Sequence, residues 1–230
     1  MAVVLEWGPV GATSVAARSD VLVVVDVLSF CTSVTIAVER GAKVWPHSGG
    51  EAAQQLARQI GAELAGHRSS PGGPTLSPSS LLGLGAGSRL ILPSPNGSSI
   101  CHAVADGMAT VVAGCLRNAG AVARYVRDRA SIGVVPAGER WPDGSLRPCY
   151  EDWVGAGAVV DRLLGQDPAL DLSAEAEAAA LAFRALRPLE DCPSGRELVE
   201  TGFAEDVRIA REIDASTVVP VLVDGGFVSA

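Results

Sequence analysis

Residues Val21–Val25 are five consecutive aliphatic residues, four of them valine, and the run closes on Asp26 and Val27. Such a segment has no polar face to give to water. It predicts a strand over Val21–Val27 buried on both sides, the mark of a mostly parallel sheet covered by helices. Shorter runs at Arg89–Pro93, Thr110–Cys115 and Ser131–Pro136 read in the same way. Each is followed by a polar turn and, for the first two, an alanine-rich stretch of helical character.

Strands alternating with helices at this spacing indicate βαβ units. Helices are expected at Thr32–Arg40, Glu51–Ile60, Ala119–Arg129, Tyr150–Leu164 and Ala174–Leu186, and further short ones follow before a last strand at Thr217–Val223. The fold class is therefore α/β, three layers (α/β/α) around a mostly parallel sheet that leaves room for a mixed one. No linker divides residues 1–230, so a single domain is expected, with two intimately packed halves as the variant of that reading. Ser69–Gly87 is rich in Ser, Pro and Gly and reads as a long loop, a length often used for binding.

In open parallel sheets ligands bind beyond the carboxyl ends of the strands, and that is where this sequence collects polar groups. Asp26, Asn96, Asn118 and Glu139 each close an apolar run or follow one by a few residues. Asp26 could ligate a metal, act as a nucleophile, or cap the next helix through a free backbone N–H. These roles stand equally open. The haloacid-dehalogenase pattern Asp-x-Asp fits poorly because position 28 is Leu. Asn96-Gly97-Ser98 lies in a strand-to-helix turn whose backbone N–H groups suit an anion. Arg117 carries a guanidinium to a comparable turn, where it suits phosphate or sulfonate. Glu139, Glu151 and Asp152, with Asp26, form an acidic group able to hold Mg²⁺, a hard cation that wants oxygen ligands. An ordinary turn, a surface arginine and solvated carboxylates are the plainer readings of the same residues.

Composition narrows the function classes. Eighteen basic residues against twenty-six acidic ones give a net charge of −8, and Lys43 is the sole lysine. That balance repels a phosphodiester backbone, so no nucleic-acid partner is expected. No membrane segment is expected either, because the longest apolar run ends at Asp26. The five cysteines (Cys31, Cys101, Cys115, Cys149, Cys192) are widely spaced and odd in number. They fit neither a disulfide framework nor a zinc site, which points to a reduced, cytoplasmic protein. Homo-oligomerisation is expected only from the general tendency of cytoplasmic enzymes.

Five stretches together resemble the 2-phosphosulfolactate phosphatase family: Val24-Val25-Asp26-Val27-Leu28, Pro95-Asn96-Gly97-Ser98, Leu116-Arg117-Asn118-Ala119, Ala137-Gly138-Glu139 and Glu151-Asp152-x-x-Gly155-Ala156-Gly157. They occur in the family's order over roughly residues 20–165. Weaker similarity continues through Ser194-Gly195-x-x-Leu198 and Gly202-x-x-x-Asp206. The resemblance implies an α/β protein that hydrolyses a phosphate monoester of a small acid with Mg²⁺. It places Asp26, Glu139 and Asn118 in catalysis, Asn96, Gly97, Ser98 and Arg117 on the substrate, and Asp26, Glu139, Glu151 and Asp152 on the metal. The chain departs from the family's pattern in two places. Ser29-Phe30-Cys31 stands where the family carries an arginine and its neighbours. Ala65-Gly66-His67-Arg68-Ser69-Ser70 stands where the family has a Gly-Glu-Arg-Gly-Gly segment, with Arg68 as a stand-in for one lost group. These departures imply either a different substrate or a non-catalytic binder of small anions that kept the cleft.

Overall fold

The computed structural model describes residues 1–230. In chain order the first half contains β1 (Ala2–Leu5), α1 (Gly8–Ala16), β2 (Val21–Val25), α2 (Phe30–Glu39), β3 (Lys43–His47), α3 (Gly50–Ile60), β4 (Glu63–Leu64), β5 (Arg89–Pro93), α4 (Gly97–Ala103), β6 (Thr110–Gly114) and α5 (Ala119–Val126). The second contains β7 (Ser131–Pro136), β8 (Glu139–Arg140), β9 (Leu146–Arg147), α6 (Tyr150–Leu164), β10 (Asp171–Leu172), α7 (Ala174–Arg184), α8 (Pro193–Glu200), α9 (Ala204–Ala210), β11 (Pro220–Val223) and β12 (Gly226–Ser229).

Ten strands form one sheet in the order β10-β1-β7-β2-β6-β11-β12-β3-β5-β4, and β8 and β9 form a separate hairpin. Helices flank the sheet on both sides in the expected three-layer α/β architecture. The β2 strand shows why its sequence is uninterruptedly apolar. Leu22 lies on the side of Val15 from α1, both crowding the position where Gly133 lacks a Cβ. Val23 and Val25 lie on the other side, against Val159 and Gly155 of α6. All five residues of β2 are buried.

The sheet is mixed, and the mixing has a consequence for the site. β2, β6, β7, β1 and β10 run parallel to one another. β11 pairs antiparallel with β6, β12 antiparallel with β11, and β3 antiparallel with β12. The β3, β5 and β4 strands, mutually parallel, therefore run against the other half. α2 packs against β6, β11, β12 and β3, so strands of both halves meet one helix. The polar turns come together around the start of that helix. Asp26 and Glu139 follow the neighbouring parallel strands β2 and β7, as expected from the sequence, whereas Asn96 follows β5, which runs the opposite way.

The hairpin β8–β9, the N-terminal pair β1–α1 and the β10 and β12 strands were not anticipated in the sequence. No helix is long and apolar enough to cross a membrane.

Candidate active site

The site is built around Asp26, the residue that follows β2. Its Oδ1 accepts the backbone N–H of Phe30 at 3.0 Å, at the start of α2, and its Oδ2 accepts that of Gly97 at 2.9 Å, at the start of α4. The carboxylate thus caps one helix and ties it to a second, while still reaching the pocket described below. Gly97 is required there. A Cβ on it would stand 2.3 Å from Cδ1 of Phe30 and 2.9 Å from Oδ2 of Asp26. Each carboxylate oxygen has two lone pairs, so one backbone bond apiece leaves Asp26 able to accept more.

Asp152, on the first turn of α6, performs a comparable service out of contact with solvent. Its two oxygens accept the N–H of Val27 at 2.7 Å and that of Gly138 at 2.8 Å. Two turns, one after β2 and one after β7, are held by a single buried side chain. Its neighbour Glu151 is also buried and accepts the thiol of Cys192 at 3.3 Å.

Asp26, Asn96 and Glu139 line a common pocket of about 170 Å³, together with Ser29, Arg68 and residues of α8 that include Ser194 and Glu197. Glu139 pairs with Arg147 of the hairpin at 2.5 Å. Arg68 is the cation of this pocket. One guanidinium nitrogen donates to the Ser29 hydroxyl at 3.0 Å, and another pairs with the fully buried Asp206 of α9. Asp206 also accepts the Ser77 hydroxyl at 2.6 Å and the Ser79 N–H at 3.2 Å. The long loop predicted over Ser69–Gly87 is accordingly pinned at its centre by a helix near the end of the chain.

Charge is concentrated at the acidic end. Burial, reinforced by Glu151 and Glu139, pushes the Asp26 carboxyl up to about 6 despite its two backbone N–H donors. Burial, with Asp26 and Glu151 adding to it, holds the Asp152 carboxyl well above the usual carboxylate range. These carboxylates repel one another, and of them only Glu139 is paired directly with a cation, Arg147. No group of three or more His, Cys, Asp or Glu side chains is disposed as a ready metal cage.

Other predicted residues are occupied elsewhere. Arg117 is buried and reaches α9 instead of the pocket, donating to the Ile209 carbonyl at 3.1 Å and pairing with Glu212. Asn118 is fully buried and spends its amide on backbone. It donates to the carbonyls of Ala113 and Val218, each at 3.1 Å, and accepts the Cys115 N–H at 2.9 Å. The Ser98 hydroxyl lies against the carbonyls of His47, at 2.9 Å, and Ser94. Gly97 gives its N–H to Asp26. Of the turn 96–98, only Asn96 lines the pocket.

Sequence reasoning gave Arg68 no more than a substitute's part, and it assigned no role to Ser29 or the α8 face. Arg68 lies in a loop with no periodic pattern, and its partner Asp206 is 138 residues away. The available signals were the weak similarities around Ser194-Gly195-x-x-Leu198, on the α8 face, and around Gly202-x-x-x-Asp206.

Fold and site together define an α/β protein with a small pocket, lined by carboxylates and one guanidinium, where strand-end turns meet. The chain belongs to the family described as 2-phosphosulpholactate phosphatase, whose model matches residues 11–225. It is 31% identical over 214 residues to a probable 2-phosphosulfolactate phosphatase of Carboxydothermus hydrogenoformans, covering 89% of this chain and 87% of that one. It is 30% identical over 216 residues to the 2-phosphosulfolactate phosphatase of Methanothermobacter thermautotrophicus, covering 90% and 88%. A probable 2-phosphosulfolactate phosphatase of Deinococcus radiodurans is 31% identical over 230 residues, with 92% and 91% covered.

Proposed function

We propose that this chain is a Mg²⁺-dependent, cytoplasmic phosphatase that hydrolyses the phosphate monoester of a small acid, 2-phosphosulfolactate or a compound of similar chemistry. The observation that carries the reading is the shared pocket of Asp26 and Arg68, one anchored carboxylate and one anchored guanidinium around about 170 Å³. Membership of the family supplies the reaction class.

The donor set fits Mg²⁺. This ion is usually held by one or two carboxylates and completes its shell with water and substrate phosphate, so it needs no protein cage. Of the three carboxylates on the pocket wall, Asp26 and Glu139, on the two turns that Asp152 ties together, are the pair suited to hold it. Asp152 is not suited, because it is buried and does not line the pocket. Burial first, and then repulsion from Glu151 and Glu139, raises the Asp26 carboxyl, and a divalent cation would offset that uncompensated negative charge. The chemistry supplied by the bound ion is neutralisation of charge on the phosphoryl oxygens.

Phosphoryl transfer spreads charge over those oxygens, so the protein's task is largely positioning and electrostatic stabilisation. Arg68 binds the anionic substrate, its planar fork fixed by Asp206 and Ser29. Asn96 and Ser194 offer polar groups along the wall. The Asp152 bridge keeps the turns bearing Asp26 and Glu139 in register with each other.

Phosphate release from 2-phosphosulfolactate, followed with and without Mg²⁺ in the parent and in Asp26→Asn, tests the proposal. Release that needs the metal and falls at least a hundredfold in the variant is expected. Absence of release from any small phosphorylated acid in the Mg²⁺-loaded parent overturns it.

A further inference from the structure

A separate pocket of about 400 Å³ shares no lining residue with the Asp26 pocket. It lies between α5 and the end of α6. Arg124, Arg127 and Arg162 line it, with Asp161 as the one carboxylate, and no apolar side chain contributes to its wall. In a chain of net charge −8, composition alone does not gather three guanidinia around one cleft. Their sequence positions fall on two helices that pack together, so the fold brings them there.

The carboxylates within reach are already committed. The two oxygens of Asp161 accept Arg184 at 2.7 Å and Arg162 at 3.1 Å. Asp214, just outside the pocket, accepts the Gly120 N–H at 2.6 Å on one oxygen and Arg162 at 2.9 Å on the other. Arg162 also lies over the Phe183 ring, so it is held in one place with its third guanidinium nitrogen unused. Arg124 has no ion-pair partner, and Arg127 has only its neighbour Asp128, at 3.5 Å. Both members of that last pair are more than half exposed, and such a pair offsets little charge. The pocket is left with positive charge that no side chain meets.

We propose that this pocket is a second anion site, for a small polyanion bearing two or more phosphoryl or carboxylate groups. A guanidinium offers a planar fork that matches either group bidentately. Three of them around one cleft favour a ligand whose charge is spread over more than one group. The volume lies within the ~300–1,000 Å³ of ordinary small-molecule sites, and a wall without apolar side chains gives nothing to a hydrophobic body. The site stands on its own residues and is independent of the reaction assigned to the Asp26 pocket.

Calorimetric titration of the full chain at constant ionic strength decides it, without added Mg²⁺ because polyanions chelate the ion. The probes are pyrophosphate, citrate and, as a ligand with one charged group, methylphosphonate. Pyrophosphate or citrate should bind at least about tenfold more tightly than methylphosphonate. The stronger of the two shows whether phosphoryl or carboxylate groups are preferred, and either preference supports the site. The double variant Arg124→Gln, Arg127→Gln changes two exposed side chains, so its Tm should match the parent's, while its affinity for the preferred probe should fall by about tenfold or more. Arg68→Lys, in the other pocket, should leave that affinity unchanged. Equal binding of all three probes, equal affinity in the double variant and the parent, or a loss confined to Arg68→Lys overturns the proposal. Binding reads these outcomes whether or not the chain releases phosphate from any ester.

Discussion

The Asp26 carboxylate accepts the Gly97 N–H at 2.9 Å, joining residues 71 positions apart. Helices α2 and α4 begin on either side of that bond. The absent Cβ of Gly97 makes the approach possible, since Phe30 and Asp26 occupy the space an alanine would need. Gly97→Ala should therefore lower stability by about 1–3 kcal/mol, the usual cost of forcing a methyl group into a packed site. For a chain of this size that corresponds to a fall in Tm of roughly 2–12 °C by scanning calorimetry. A Tm within a degree of the parent would show that the two helices part without strain.

Asp26 gives the metal-free protein a pH dependence of definite sign. Its carboxyl is raised from 3.8 to about 6, so the folded state holds the proton more tightly than the unfolded one. The folded state binds more protons between these values, and stability falls as pH rises through that window. Two units correspond to about 3 kcal/mol at 1.36 kcal/mol each. Asp26→Asn abolishes this contribution. By urea unfolding in a chelator, the variant should gain on the parent by that order between pH 3.5 and pH 7.5. A difference that does not change with pH would mean that the carboxylate is better solvated than its burial implies. Adding Mg²⁺ at pH 7.5 should raise the Tm of the parent and leave that of the variant unmoved.

Arg68→Lys separates charge from shape. An ammonium can still meet Asp206 but cannot span Asp206 and Ser29 with a planar fork. Loss of one charge-assisted hydrogen bond is worth about 1.5–3 kcal/mol, which predicts a KM raised roughly tenfold or more. Arg68→Gln should be worse in a different way, because it leaves the buried Asp206 unpaired and costs about 3–5 kcal/mol of stability. Steady-state kinetics on the first and denaturation of the second check the pair. An unchanged KM for Arg68→Lys would remove the guanidinium from substrate contact.

Arg117 should behave in the opposite manner. It holds the Ile209 carbonyl and Glu212, so Arg117→Met should cost on the order of 1–3 kcal/mol in urea unfolding. Its KM should stay within twofold of the parent. A stable variant with a strongly raised KM would restore the anion-binding role that its position in the sequence suggests.

The contrast between Arg68 and Arg117 shows how far the sequence was legible. β2, β5 and β7 announced themselves because strands covered on both faces become unbroken apolar runs, and Arg89–Pro93 and Ser131–Pro136 have the bounds read from the residues. Asp26, Asn96 and Glu139 stood out because they follow such runs. Whether an arginine in a turn faces a ligand or a neighbouring helix depends on chain arriving from far away. For Arg117 that chain is α9, 92 residues on, and for Arg68 it is the same helix. The N-terminal α1 was missed although Pro sits in its first turn, a position that suits a helix start. The reversal of direction between the half-sheets was illegible, because it depends on two short C-terminal strands whose partners nothing local specifies.

Those two strands set the order in which the molecule can be made. β11 and β12 follow every other element in the sequence, yet they occupy the middle of the ten-stranded sheet, between β6 and β3. While the chain is emerging from the ribosome, β6 and β3 are therefore open edges, each able to recruit a foreign strand. A nonsense codon between Val199 and Val219 would leave both edges bare for good. Such truncated products should be insoluble and short-lived in the cell, even though they retain all the pocket-lining side chains.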